Sequence, residues 1–153
     1  KLMNDKELDN YFEFGVVAAK DNDTLNYVLL VPAIGSVNEL TDVRLNNAVT
    51  LLPAQVNDFI KILDKSVKNW DEEYDKITGI SYEYSVAPEN LIVKESENVK
   101  VWYPTLKYYY QNDKKGAMGT IIMGEGFYKY VYFFNKKSKL TDLMNMLEKG
   151  LKQ

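Results

Sequence analysis

The sequence predicts an α+β domain of two antiparallel-sheet units, each closed by an amphipathic helix, a tandem β-β-β-α arrangement. Two segments repeat apolar residues at helical spacing, short aromatic and β-branched runs precede each of them, and polar turns separate those runs. At 153 residues, with 46% hydrophobic and 27% charged side chains, the chain can bury a core without a staple and falls in the range of ordered globular proteins.

In chain order, Tyr11 to Ala19 and Tyr27 to Ile34 flank the polar turn Lys20-Asp21-Asn22-Asp23-Thr24 and read as a hairpin. A longer loop, Gly35 to Asn47, leads to a short strand, Ala48 to Leu52. From Pro53 to about Ile77, the residues Val56, Phe59, Ile60, Leu63, Val67, Trp70, Tyr74 and Ile77 recur at spacings of three and four, one face of a helix. Pro53 suits the first turn, Asp58, Lys61, Asp64, Lys65 and Lys68 fall on the other face, and Gly79 supplies a stop.

The second unit opens with Ile80, Tyr82, Tyr84 and Val86 alternating with Ser81, Glu83 and Ser85, a strand with one buried face. Leu91 to Val93 reads as a further short strand before the charged stretch Lys94 to Lys100. Val99 to Tyr110 and Ala117 to Met123 flank the turn Gln111 to Gly116, and Phe127 to Phe134 is a last strand. Ser138 is a good N-cap for a helix through Leu140, Leu143, Met144, Leu147 and Leu151. Those five positions match Val56, Phe59, Ile60, Leu63 and Val67 at a constant offset of 84 residues. The pattern predicts an internal repeat within one domain, residues 1–153, with units of roughly 1–78 and 79–153.

The chain contains no cysteine and no histidine. Thiolate nucleophiles, disulfides, cysteine-ligated metals and the usual neutral-pH base are therefore excluded, and no cofactor or metal is expected. Asp71-Glu72-Glu73-Tyr74-Asp75 lacks the alternating ligands and turn glycine of a calcium loop and reads as a solvated helix face. Glycines at 116, 119, 124 and 126 lie between strands, outside the context of a dinucleotide site. With no nucleophile beside an identifiable base, the expectation is a chain that is not an enzyme. No apolar run approaches the ~18 residues of a membrane span, so a soluble domain is expected. The first residue, Lys1, is no initiator methionine, which leans toward an exported protein, periplasmic or lipid-anchored at the surface.

Charge is divided unevenly, −6 over residues 1–77 and +3 over residues 78–153. Within the second half, Lys100, Trp102, Lys107, Tyr108, Tyr110, Lys129 and Tyr130 interleave basic and aromatic side chains on expected strands and form the candidate binding surface. Its expected use is to bind a protein or small ligand; the alternative is single-stranded nucleic acid, with rings stacking on bases and lysines neutralising phosphates. On the bland reading, aromatics favour strands and lysines decorate solvent faces.

Tandem strand-strand-strand-helix units resemble the single-stranded-DNA-binding domains of the PC4 and Whirly type, and Val49-Thr50-Leu51-Leu52-Pro53-Ala54-Gln55-Val56 is similar to their strand-to-helix junction. That resemblance implies nucleic acid laid across exposed strands. Phe59-Ile60-Lys61-Ile62-Leu63 with Trp70, followed by the aromatic strand Tyr130 to Phe134 and a leucine-rich terminal helix, also resembles small exported domains of unknown function from gut Bacteroidetes. This second resemblance implies an exported binding or structural role.

Overall fold

The computed structural model describes residues 14–32, 48–73, 79–87, 105–124 and 129–152. Strand β1 (Phe14–Asp21) turns into β2 (Thr24–Pro32) in antiparallel register from Phe14↔Pro32 to Asp21↔Thr24. Asn22 and Asp23 at the tip have φ of 48° and 65°. Two successive left-handed residues make the mirror-image turn that matches strand twist, and Asn and Asp tolerate it best after glycine. A short β3 (Val49–Leu51) pairs with β2 and completes a three-stranded sheet.

Helix α1 (Pro53–Asn69) follows at once. Pro53 fills the first turn, and the Leu52 amide donates to Gln55 Oε1 at 2.8 Å, the half of a capping box that a leucine at this position permits. The periodicity suggests a helix reaching about Ile77; it ends eight residues sooner. Trp70 N–H donates to Val67 O at 3.3 Å and Glu72 N–H to Asn69 O at 3.0 Å, tight closures that turn the chain away. The Asn112 side-chain amide donates to Asn69 O at 3.0 Å and Glu72 O at 3.2 Å. Carbonyls satisfied in this way no longer require another helical turn. Asp71, Glu72 and Glu73 therefore lie exposed beyond the helix and not on its face, while Tyr74 and Ile77 fall outside the described residues. Gly79, φ 71°, opens the next strand and does not stop the helix.

The second sheet has four strands in sequential order: β4 (Ile80–Val86), β5 (Leu106–Asp113), β6 (Gly116–Met123) and β7 (Tyr130–Phe134), all antiparallel. Helix α2 (Lys137–Lys152) closes it, beginning one residue before the expected cap Ser138. The α+β class and two antiparallel sheets stand. The units are unequal, however, with three described strands before the first helix and four before the second. The expected strand over Leu91 to Val93, and the strand extensions before Phe14, Thr105 and Lys129, lie outside the described residues.

One core joins both sheets to both helices, uniting Phe14, Val28, Leu30 and Leu51 with Val56, Phe59, Leu63, Tyr108, Ile121, Phe134, Leu140 and Leu143. Each fully buried side chain of this kind stabilises by roughly 1.5–3 kcal/mol. Missing side chains set two close approaches. Gly119 leaves room for the Tyr108 ring, whose Oη lies 3.2 Å from where a Cβ would sit. Gly150 lets α2 come down on the first sheet, where a Cβ would meet Val16 Cγ1 at 2.8 Å. Valine cannot rotate away cheaply, because its branched Cβ restricts χ1.

Gly150→Ala should therefore destabilise the fold by about 1–3 kcal/mol despite the better helix propensity of alanine, read as a lower urea midpoint. Adding Val16→Ala should recover part of the loss, whereas a gain in stability for Gly150→Ala alone would contradict this packing.

Candidate functional site

The basic, aromatic surface expected from the sequence is divided by strand alternation. On β5 the even positions Leu106, Tyr108, Tyr110 and Asn112 are buried, and the odd positions Lys107, Tyr109, Gln111 and Asp113 face outward. Lys107 and Tyr108 are neighbours and so cannot share a face. Tyr108 and Tyr110 are fully buried, which corrects their placement in a contact surface. Tyr130 is half-buried with its ring edge-on to Phe14, centroids 5.8 Å apart, on the inner side of β7. Lys107 and Lys129 are exposed, and Lys100 and Trp102 lie outside the described residues.

On the inner side the tyrosines bolt the second sheet to α1. Tyr108 Oη donates to Ser66 Oγ at 2.9 Å, and Ser66 Oγ donates to Ile62 O at 2.9 Å. Tyr110 Oη donates to Asn69 Oδ1 at 2.9 Å, the same oxygen that receives the Asn112 amide at 3.2 Å. Tyr84 Oη donates to the Gln55 carbonyl at 2.9 Å. Between these bonds Phe59 stacks on Tyr84, centroids 5.3 Å apart, and meets Tyr108 edge-on at 5.6 Å. Tyr82 stacks on Tyr110 at 5.6 Å.

Burial pushes the phenols up. Tyr84 rises to about 12, with the Asp58 carboxylate adding to desolvation, and Tyr110 rises to about 12 by desolvation against a hydrogen bond that favours the anion. Tyr108 is raised further, again by desolvation first. These groups remain neutral hydrogen-bond donors at ordinary pH and act as structural fasteners.

The outer side of the same sheet is a different surface. Register sets four side chains abreast in each row: Ser85, Lys107, Ile122 and Val131, then Glu83, Tyr109, Thr120 and Phe133. The next row carries Ser81, Gln111 and Met118. Phe133 is 58% exposed and Met118 46%. The β4 side is polar, as expected for a sheet with one wet face, but β7 is apolar on both faces and β6 carries Met118 and Ile122 outward on either side of Thr120. Alternation places Lys129 beyond Val131 at the Lys107 end, and Asp113 closes the opposite end of β5. The three-stranded sheet also exposes Val17 and Tyr27 outward.

Phe133, Met118, Ile122, Val131 and Tyr109 were absent from the residues singled out in sequence. For Val131 and Phe133 the signal is the unbroken apolar run of Tyr130-Val131-Tyr132-Phe133-Phe134, since a strand covered on one side only should alternate.

No family model matches the chain, and no solved structure matches it. It is 28% identical over 138 residues to a protein named Terpene synthase 4 from Dictyostelium discoideum. The match takes in 86% of this chain and 36% of that protein, so the chain spans about a third of the relative's length. This finding corrects the expectation that the chain is not an enzyme, because a relative aligned over most of the chain bears an enzyme's name. Absence of cysteine and histidine removes thiol and imidazole chemistry, but carboxylates, hydroxyls and amines remain able to work. Among the described residues no helix is long and apolar enough to cross a membrane.

The fasteners give two expected outcomes. Asn112→Ala removes the donor shared by Asn69 O, Asn69 Oδ1 and Glu72 O and should cost about 2–3 kcal/mol, against about 1 kcal/mol for Tyr110→Phe, both read by urea unfolding. Raised phenol pKa values mean that the folded chain keeps protons the unfolded chain releases. Stability from Tyr84 and Tyr110 should be full below pH 10.0 and drain as pH approaches about 12. The unfolding midpoint should fall across that window, and Tyr84→Phe should flatten the fall.

Proposed function

We propose that this chain is a binding domain that docks a protein surface onto the outer face of its four-stranded sheet. The supporting observation is the apolar set Tyr109, Met118, Ile122, Val131 and Phe133 on a face that covers nothing within the described residues. Scattered exposed apolar residues need no explanation, but here they adjoin one another across three paired strands. The set runs from Tyr109 on β5 to Phe133 on the edge strand β7, with Thr120 between them and Lys107, Ser81, Glu83 and Ser85 alongside, the mixture of apolar contact and polar margin found in protein interfaces.

The similarity to a protein named a terpene synthase supports an enzymatic setting for this docking, with the chain corresponding to about a third of such a protein. Single-stranded nucleic acid is the poorer fit, because Tyr108 and Tyr110, which would have to stack on bases, are interior. The shared helix-face spacing at an offset of 84 residues supports a duplicated origin for the two units, with the docking face on the second.

A photo-crosslinking residue at position 133 in the full-length protein should yield discrete protein adducts in its host cell, while the same residue at Lys61, on the exposed side of α1, should not. Equal adducts from both positions, or none from position 133, would sink the docking role.

A further inference from the structure

We infer that Met118 is the site at which peroxide modifies this chain, and that its oxidation to the sulfoxide controls docking on the outer face of the four-stranded sheet. The second half of the inference rests on the docking role proposed above and names its regulation. With no cysteine in the sequence, the groups most open to oxidation by peroxide are the five methionine thioethers. Met3 lies outside the described residues. The other four differ in their surroundings: Met123 is fully buried, Met144 and Met146 are half-buried on α2, and Met118 is 46% exposed.

Strand alternation accounts for the contrast on β6. Met118 and Met123 occupy positions of opposite parity and so point to opposite faces of the sheet. Met123 faces the core opposite Leu106, whereas Met118 stands on the outer face opposite the exposed Gln111, one row from Tyr109 and Phe133. Peroxide therefore reaches the Met118 sulfur without any opening of the fold. The thioether lone pair attacks one peroxide oxygen, the O–O bond breaks, and the proton of the transferred hydroxyl passes to the leaving hydroxide to give a sulfoxide and water. Sulfur is oxidised and peroxide is reduced, with no further reactant.

The product changes the character of the face. A flexible apolar side chain becomes a polar, chiral one, and an apolar partner surface would have to bury the new oxygen without supplying a donor. Met118 stands outside the core, so the same change leaves the fold in place. Sulfoxide reductases return the thioether, which makes the modification reversible.

Peptide mapping of the full-length protein after graded hydrogen peroxide should find Met118 oxidised about tenfold faster than Met123, Met144 or Met146, with the unfolding midpoint unchanged while Met118 is the only one of these four oxidised. The yield of protein adducts from the photo-crosslinking residue at position 133 should fall about threefold or more on oxidation and recover after treatment with methionine sulfoxide reductases. In Met118→Leu the ratio of yields with and without peroxide should return to unity. Oxidation of Met144 or Met146 ahead of Met118, or a midpoint that drops as Met118 alone is oxidised, would overturn the modification site. Selective oxidation of Met118 with an unchanged adduct yield would overturn its control of docking and leave the docking role standing. Absence of adducts before any peroxide is added would remove the docking role and its control together.

Discussion

The row of hydroxyl and amide bonds between β5 and α1 is the constraint on which the rest of this molecule depends. Tyr108, Tyr110 and Asn112 reach from alternate positions of one strand to Ser66 and Asn69 on successive turns of the helix. Apolar packing alone is tolerant of sliding, since a methyl group finds another methyl group a few ångströms away. A donor that must meet one acceptor in a water-free interior does not slide, because a displaced hydroxyl would lose its bond without gaining one from solvent. The helix thereby gains a fixed register on a sheet formed much later in the sequence.

Several features follow from that fixed register. Asn112 binds the last carbonyl of α1, that of Asn69, together with the Glu72 carbonyl just beyond it, and ends the helix at Asn69. The turn that follows brings Asp71 to Lys137, joining the exit of the first helix to the start of the second. With the even side of β5 committed to the helix, its odd side must face outward together with the outer residues of β6 and β7. The display of Phe133 and Met118 is thus the reverse of the same alternation that buries Tyr110 and Phe134. One strand period assigns most of the aromatic residues of this sheet to stability and leaves Tyr109 and Phe133 on the outer face.

Neighbouring residues in the sequence therefore diverge in role. Lys107 and Tyr109 belong with Phe133, whereas Tyr108 and Tyr110 belong with Ser66 and Asn69. A charge count over Val99 to Lys139 sees a basic, aromatic stretch, but composition carries no information on parity, and parity decides which ring meets water. The helix stripe shows a similar limit. Apolar spacing marks Val56, Phe59 and Leu63 correctly, then favours Val67, although the buried line continues through Ser66 and Asn69. Polar residues on a core face are invisible to hydrophobic periodicity unless their partners are known, and those partners lie about 40 residues away.

By itself the sequence determined the α+β class, the existence and order of the main strands, the start of each helix within two residues and the absence of thiol and imidazole chemistry. All of these depend on local spacing, turn residues or residue type, which a linear chain displays directly. Only the tertiary structure decided where α1 stops, that Tyr108 and Tyr110 are interior, and that an apolar face stands opposite them. Those outcomes turn on contacts between residues distant in the chain and on which side of a strand each one points. Nothing in the local pattern of a single strand specifies which side will receive the helix.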